Sequence, residues 1–260
     1  MPASLTARLA WLVPGSLFAV ATLGWGTITL VDLSAHERHH EQQEFTAPIR
    51  TLDINNDKGH VRIIGTDTST VTVDASVSEG LRSGSHSEQV EGDRLVIRAT
   101  CPTMLSTWCG VDYTIRVPAA TAVVSHSSDE DVDVTGVTGD LELSSSDGNV
   151  RVSGGGGHTL TLHSSDGNIT GAGLTAAVVT ASSSDGNVRL SFAQPPQTVK
   201  VDTTDGNITV EVPDTPGAYH VEAHSADGGI HTDVRTDPNG ANLIQASSSD
   251  GSVTIRYPAG

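Results

Sequence analysis

Aromatic and cationic residues are both scarce in this sequence. Of its 260 residues only nine are aromatic, with three each of Phe, Trp and Tyr. A globular core normally relies on a few large aromatic side chains, so this chain must build its interior from Val, Ile, Leu and Ala. With 14 Lys and Arg against 31 Asp and Glu, the formal net charge is −17. That balance argues against a nucleic-acid partner, because phosphate binding needs clustered Lys and Arg.

Cysteine is almost absent, and the two cysteines present lie close together in the stretch CPTMLSTWC. Their spacing is not a standard zinc or redox pattern, and no second pair completes a metal site. In an oxidising compartment we predict a disulfide between Cys101 and Cys109. Closing so short a loop stabilises the fold by about 2.6 kcal/mol in the chain-entropy model. No cofactor is predicted.

Charge is missing altogether from residues 9–31, a run of 23 residues that follows Arg8. As a helix this run measures about 34 Å, enough to cross a bilayer core of about 30 Å. Two interpretations remain open. Ala19-Val20-Ala21 resembles a signal-peptidase site, but the apolar run continues for ten residues beyond it and favours an uncleaved anchor. We therefore expect residues 1–31 to form a cytoplasmic tip and transmembrane anchor, or a signal peptide, and residues 32–45 to form a polar linker.

A short phrase with Asp near its centre recurs through the second half of the chain. It is written SSSDGNV at 144–150 and again at 182–188, and related phrases surround five further Asp residues. A period near twenty residues indicates stacked supersecondary units. Successive Asp residues lie 18, 19, 19, 20, 22 and 23 positions apart: Asp129, Asp147, Asp166, Asp185, Asp205, Asp227 and Asp250.

Aliphatic residues recur at fixed offsets from each of these Asp residues. The position six residues before and the position three residues after are aliphatic in every copy. Such alternation interrupted by a turn predicts two short strands per repeat. We therefore predict an all-β fold, a parallel β-solenoid over residues 46–260 with coils of about 20 residues, preceded by one N-terminal transmembrane helix. A sandwich of hairpins is the main alternative, because Asp-Gly between strands also favours hairpin turns.

In-register stacking makes specific pairs of outward side chains cross-strand neighbours. If the coils stack in chain order, Lys200 should lie beside Glu222 and Asp202 beside His224. By the same argument Arg151 should lie beside Asp133. Each pair would contribute a few tenths to about 1 kcal/mol.

The turn residues allow a structural and a metal-binding interpretation. In the structural one, Asp accepts hydrogen bonds from its own turn, Gly supplies a positive φ, and Asn tolerates left-handed turn geometry. In the other, a ladder of carboxylates binds calcium, which needs six to eight oxygen ligands. The chain lacks the nine-residue phrase of calcium-binding β-rolls, so the structural interpretation is favoured. The calcium ladder would comprise Asp147, Asp166, Asp185, Asp205, Asp227 and Asp250.

The order of features along the chain resembles that of a known family. Residues Leu52 to Ile63 read L-x-I-x-N-x-x-G-x-V-x-I, a later strand ends in Ile115-Arg116-Val117-Pro118, and SSDGNV repeats run to the C-terminus. Over residues 46–258 this is similar to the bacterial DUF4097 "putative adhesin" β-strand-repeat family. The resemblance implies an extracytoplasmic β-solenoid at a bacterial cell surface with an adhesin-like or envelope role. It supplies no catalytic residues.

Three functions follow as expectations. The leading one is a non-enzymatic protein, anchored in the bacterial plasma membrane by residues 9–31, whose solenoid binds an unidentified protein or glycan. The alternative is an enzyme acting on envelope or extracellular polysaccharide, and a further alternative is a calcium-dependent adhesion module. Because Tyr257 to Gly260 follow the last repeat directly, the terminal coil could expose an edge that supports self-association.

Overall fold

The computed structural model describes residues 37–79, 84–102 and 109–258, and within these ranges the regular structure is entirely β-strand. No helix in these ranges is long and apolar enough to cross a membrane. The anchor expected at residues 9–31 lies outside the described residues.

Twenty-one strands make up the described chain. In chain order they are β1 (Glu37–Phe45), β2 (Thr51–Asn56), β3 (Val61–Thr66), β4 (Val71–Glu79), β5 (Ser85–Glu91), β6 (Arg94–Thr100), β7 (Gly110–Pro118), β8 (Ala122–Ser127), β9 (Val132–Thr135), β10 (Leu141–Ser145), β11 (Val150–Gly155), β12 (Thr159–Ser164), β13 (Ile169–Leu174), β14 (Val178–Ser183), β15 (Val188–Phe192), β16 (Thr198–Thr203), β17 (Ile208–Glu211), β18 (Tyr219–Ser225), β19 (Ile230–Asp233), β20 (Asn242–Ser248) and β21 (Val253–Arg256).

These strands form two sheets whose inward side chains share one hydrophobic core. The first sheet has eleven strands in the order β1-β4-β7-β3-β9-β11-β13-β15-β17-β21-β19. The second has ten in the order β18-β20-β16-β14-β12-β10-β8-β2-β6-β5. Consecutive strands of the chain alternate between the sheets through the repeat region, so each repeat contributes one strand to each sheet.

The repeats stack in parallel and in register, with like residues on like. Leu141 pairs with Leu160, and Val150 pairs with Ile169. The aliphatic columns are buried, with relative exposures of 2% or less for Leu141, Leu160 and Val179. The parallel pairing excludes the sandwich of hairpins for this region, because hairpin strands pair antiparallel.

The last two coils of the stack are in the opposite order to the chain. Strand β20 lies between β16 and β18, and β21 lies between β17 and β19. The reason is apolar burial: the β20–β21 coil turns Ile244 and Ile255 inward, both fully buried. The β18–β19 coil offers Val221 and Thr232 at the equivalent positions and leaves Ile230 49% exposed. The more apolar coil therefore covers the core, and the more polar coil ends the stack.

The opposite end of the stack also departs from chain order. Strands β6 and β7 lie outside β2 and β3, and the antiparallel strands β1, β4 and β5 complete that end. The prediction of a polar linker over 32–45 is wrong for residues 37–45, which form β1 along the edge of β4. Among residues 38–45, whose side-chain exposure the structure describes, only Phe45 is buried. Because backbone pairing rather than burial holds β1 in place, its sequence carries no apolar alternation.

Candidate functional site: a polar channel on the first sheet

Six of the seven repeat turns are held by a hydroxyl two residues before the Asp, which is buried in five of them and half-buried in the turn of Asp227. In the turn of Asp185, the Ser183 Oγ accepts the Gly186 N–H at 3.0 Å and donates to the Gly167 carbonyl of the neighbouring coil at 3.0 Å. The same two bonds recur in other coils, with Thr203 as the only threonine among these hydroxyls. The hydroxyls in this arrangement are Ser145, Ser164, Ser183, Thr203, Ser225 and Ser248.

The turn glycines are required for close stacking and not for a positive φ. Gly186 is outside the left-handed region, which corrects the expectation that these glycines supply φ > 0. A Cβ on Gly186 would lie 1.9 Å from the Gly167 carbonyl oxygen of the coil below. Backbone atoms of successive turns are therefore in contact, and any side chain would separate the coils.

The turn Asp side chains are exposed to solvent at the corner between the sheets. Those of the six predicted ladder positions, Asp147, Asp166, Asp185, Asp205, Asp227 and Asp250, accept no hydrogen bond within the described ranges, so the buried hydroxyl takes the capping role expected of them. No group of three His, Cys, Asp or Glu side chains is placed to hold a metal ion in those ranges. The calcium-ladder interpretation therefore gains no support from the structure.

Two residues beyond four consecutive Asp residues, a column of asparagines forms a continuous ladder on the outer face of the first sheet. The Asn168 backbone N–H and Nδ2 both donate to Oδ1 of Asn149, at 3.0 and 3.1 Å. Asn187 and Asn207 repeat these two bonds with the asparagine before them. Asp131 takes the acceptor role below Asn149, and the Ser252 N–H donates to Asn207 Oδ1.

The Asn ladder forms one wall of a channel that crosses five strands, β11, β13, β15, β17 and β21. The channel has a volume of about 620 Å³. Its second wall is the column two residues further along each strand, and its floor is the backbone between the two columns. That second wall consists of Arg151, Thr170, Arg189, Thr209 and Thr254. We call this feature the Asn–Arg channel.

Arg151 closes one end of the Asn–Arg channel and is held by two carboxylates. It lies opposite Asp133 in the parallel register, as the repeat alignment predicted, with Nη1 3.4 Å from Oδ1. Its closer contact is with Asp131. Partial burial acts to raise the pKa of Asp131, but hydrogen bonds from Arg151 and Asn149 outweigh this and hold that pKa below its ordinary value.

The outer face of the second sheet carries a shallow cleft of about 360 Å³ near the β18 end. It is lined by Lys200, Asp202, Glu222 and His224, but not in the arrangement that chain order predicted. Because β20 intervenes, Lys200 pairs with Gln245, and Gln245 pairs with Glu222. The prediction that Lys200 neighbours Glu222, and that Asp202 neighbours His224, is therefore wrong, although each pair does share a column.

Within this cleft the charged groups have separate partners. Lys200 Nζ lies 3.7 Å from Asp202 on its own strand. The Glu222 carboxylate accepts from Gln245 Nε2 at 2.6 Å and lies 3.3 Å from His220 Nε2. No described contact joins the two carboxylates.

The predicted disulfide is confirmed. Cys101 and Cys109 are bonded, with their Cα atoms 5.7 Å apart. The bond links the residue after β6 to the residue before β7 and so ties the two strands of the outermost parallel coil.

Sequence reasoning treated the asparagines only as turn formers and missed the channel. The signal was present, because Asn stands two residues after the Asp in four consecutive repeats. A polar residue that recurs in an outward column of a parallel stack can bond its own copies along the stack. The Arg and Thr column beside it is not uniform and gives no comparable signal.

Buried aliphatic columns, two largely parallel sheets and a ladder of turns define a solenoid-like, all-β repeat protein. The sequence model of the family described as Toastrack DUF4097 matches residues 112–257, more than half of the chain. The chain belongs to this family, which confirms the resemblance drawn from its sequence. No match was found among curated proteins.

Several solved structures are similar in fold at low sequence identity. A "putative cell adhesion protein" from Clostridium sporogenes ATCC 15579 is 12% identical, with 85% of this chain and 100% of that chain covered and a TM-score of 0.35. A "putative adhesin" from Bacteroides fragilis NCTC 9343 is 15% identical, with coverages of 85% and 97% and a TM-score of 0.42. A "putative lipid binding protein" from Parabacteroides distasonis ATCC 8503 is 10% identical, with coverages of 84% and 96% and a TM-score of 0.43.

Proposed function

We propose that this chain is a non-enzymatic, membrane-anchored protein of the bacterial cell surface that makes adhesin-like contacts through its solenoid. The observation that carries the proposal is the Asn–Arg channel. It presents an asparagine amide at four of its five strands, in a stack held by turn-to-turn hydrogen bonds. A rigid row of identical groups suits a ligand that itself repeats.

The membrane part of the proposal rests on the sequence. Residues 9–31 form an uncharged run long enough to span a bilayer core. The Cys101–Cys109 disulfide supports an oxidising compartment outside the cytoplasm. Since the run precedes β1, the anchor joins the solenoid at the β1 end and the β18–β19 coil lies at the far end, roughly 48 Å away over ten strand spacings.

Location and contact can be tested on cells that express the full-length chain. We expect proteinase K to degrade the solenoid in intact cells, and we expect expressing cells to attach to envelope-coated or tissue-derived surfaces more than vector controls. Protection of the solenoid until the cells are lysed would contradict the proposed location. Normal exposure without any gain in attachment would contradict the adhesin-like role.

A second candidate function is an enzyme acting on polysaccharide, and the cleft on the second sheet is the observation that favours it. Asp202 and Glu222 are two carboxylates on one face, and Lys200 and His224 line the same cleft. Glycosidases use two carboxyl groups, one as acid and one as base or nucleophile. The test is release of reducing ends from envelope polysaccharide by the wild type, with loss of that release in Asp202→Asn and Glu222→Gln. Equal release by both variants would exclude this cleft as the active site.

A further inference from the structure

We propose that the Asn–Arg channel binds an extended, neutral polysaccharide. The inference rests on the proposed adhesin-like function and assigns it a site and a ligand class. It is supported by the hydrogen-bonding groups of the channel walls, by the negative charge around them and by the ion pairing of the two arginines.

The first three asparagines of the ladder present only hydrogen-bond donors to a ligand, whereas the Asn207 Oδ1 accepts a single bond within the described ranges, from the Ser252 N–H. An amide oxygen has two lone pairs, and the Oδ1 atoms of Asn149, Asn168 and Asn187 each accept two bonds from the next asparagine. An amide nitrogen carries two hydrogens, and the ladder uses one of them. The second hydrogen of each Nδ2 is left for solvent or ligand, which gives a row of donors at about the 4.8 Å strand spacing.

The assignment of oxygen and nitrogen in these side chains is fixed by the backbone. Each Oδ1 accepts from a main-chain N–H, for example that of Asn187 onto Asn168, and a main-chain nitrogen can only donate. Flipping one amide would set two donors against each other. The donor row is therefore a property of the stack and not of a chosen rotamer.

The corner beside the ladder presents the complementary groups. Ionised carboxylates are acceptors only, and the exposed turn Asp residues stand two positions before the asparagines in each coil. A ligand along this edge meets donors from the Asn row and acceptors from the Asp row. Sugar hydroxyls both donate and accept, so a polyhydroxylated chain satisfies both rows at every coil.

Charge decides between a neutral and an anionic polymer. The chain has a formal net charge of −17, and the four turn carboxylates that precede the asparagines stand two residues, at most about 7 Å of backbone, from that wall of the channel. At physiological ionic strength, charges within about 8 Å of one another are incompletely screened, so this row repels an anionic chain. A neutral chain carries no such penalty, and two arginines are too few to reverse it.

The two arginines of the second wall differ in their ion pairing. Arg151 is engaged by Asp131 and Asp133, whereas Arg189 has no ion-pair partner in the part of the chain that the structure describes. Arg189 stands between Thr170 and Thr209 in the register, in the middle of the channel. Its guanidinium carries five N–H donors and is the strongest unused donor of the channel. We therefore expect Arg189 to contribute more to the binding free energy than any other single side chain of the channel.

The site should be weak for a single ligand. The described lining contains no aromatic ring on which a sugar could stack, so recognition depends on hydrogen bonds that replace those to water and have a small net value. Many copies on one cell raise the overall avidity without any new contact. A weak, repeated site is consistent with surface attachment.

The test measures binding to the purified full-length chain in a detergent without a sugar headgroup. Saturation-transfer NMR titrations with the pentamers of N-acetylglucosamine, β-1,4-glucose and mannose should give a Kd of about millimolar for at least one of them. Arg189→Gln should raise that Kd at least about fivefold, since it removes a charged hydrogen-bond donor. Thr209→Val should weaken binding in the same direction.

Arg98→Gln is the matched control, because Arg98 is an exposed strand arginine on the second sheet. It should leave the Kd unchanged, and thermal unfolding should show that all variants remain folded. The proposal is overturned if no neutral pentamer binds, if pentagalacturonate alone binds, or if Arg98→Gln weakens binding as much as Arg189→Gln. Cells carrying Arg189→Gln that attach as well as wild-type cells would overturn the channel as the site while leaving the proposed function intact.

Discussion

At the scale of single residues, the repeated phrase is explained by how closely successive turns pack. Its second serine is buried and bridges two coils, its glycine leaves room for the backbone below, and its asparagine bonds its own copies. The Asp contributes its backbone N–H to the bonds between coils, but its side chain accepts no hydrogen bond within the described ranges. The Asp, the residue of the phrase most typical of a catalytic or metal site, is thus the one whose side chain contributes least to the hydrogen bonding of the stack.

Removal of a bridging hydroxyl should destabilise the stack. Ser183→Ala leaves the Gly186 N–H and the Gly167 carbonyl without their partner in a buried turn. Leaving buried polar groups unpaired costs about 1–3 kcal/mol. Urea unfolding should show this loss in Ser183→Ala, and Ser184→Ala is the control because its side chain is exposed in the same turn. Equal losses in both variants would show that the hydroxyl bridge is not the cause.

A side chain on a turn glycine should be more harmful still. Gly186→Ala places a Cβ 1.9 Å from a backbone oxygen that cannot move without opening the stack. Overpacking typically costs 1–3 kcal/mol, and we expect at least about 3 kcal/mol here because the clash is with backbone. Gly229→Ala is the control, since its Cβ would have no neighbour closer than 4.0 Å. If Gly186→Asn were tolerated better than Gly186→Ala, a need for left-handed geometry would be the better explanation.

The contact between Asp131 and Arg151 should make stability depend on pH in the acid range. The folded-state pKa of Asp131 lies below its ordinary value of 3.8, so its contribution is present above that value and is lost as pH falls through the folded pKa. Asp131→Asn should therefore be less stable than wild type at pH 7, by up to about 1 kcal/mol for this partly exposed pair. The difference should shrink as the pH falls below 3.8 and Asp131 becomes protonated in the folded state. Urea unfolding at several pH values measures it.

The control for that measurement is Asp147→Asn. Asp147 is exposed and accepts no hydrogen bond within the described ranges, so its removal should not lower stability at pH 7. A deficit in Asp131→Asn that persisted unchanged to low pH would assign the effect to packing rather than to ionisation.

At the scale of the strand, the features that recur in every repeat could be predicted from the sequence, whereas features that occur once could not. The inward columns of Leu141 and Val150 follow from period-two alternation and are buried as expected. Strand β1 was missed because edge pairing requires no apolar alternation. The order of the last two coils was missed because it depends on which coil covers the core better. That is a comparison of burial between Ile255 and Thr232 and not a local pattern.

The coil order itself can be tested by engineered disulfides. Adjacent parallel strands place paired Cα atoms about 4.8 Å apart, within the range that a disulfide spans, whereas alternate strands are about 9.6 Å apart and outside it. We expect Lys200→Cys with Gln245→Cys to cross-link under mild oxidation, and Lys200→Cys with Glu222→Cys to remain reduced. Peptide mapping by mass spectrometry distinguishes the two. Efficient cross-linking of the second pair alone would show instead that the last coils stack in chain order.

At the scale of the whole molecule, the two ends of the stack differ. The end that follows the N-terminal run is completed by antiparallel strands β1, β4 and β5. The far end stops at β18 and β19. Thr236 forms an isolated bridge with Tyr219 at the start of β18, but no strand of the described ranges pairs with these two outer edges, and β19 is exposed along its whole length. The expectation of an exposed terminal edge therefore moves from the last coil of the chain to the coil before it.

An unpaired strand edge with an exposed apolar side chain favours association between copies, and we expect the full-length chain to associate weakly through its far end. Burying the exposed part of Ile230 in each copy would contribute about 1 kcal/mol. Ile230→Lys should therefore shift sedimentation velocity profiles toward the monomer. Val90→Lys is the matched control, since Val90 is 41% exposed on β5 at the opposite end. If Val90→Lys abolished association and Ile230→Lys did not, copies would meet through the end that carries β1, β4 and β5.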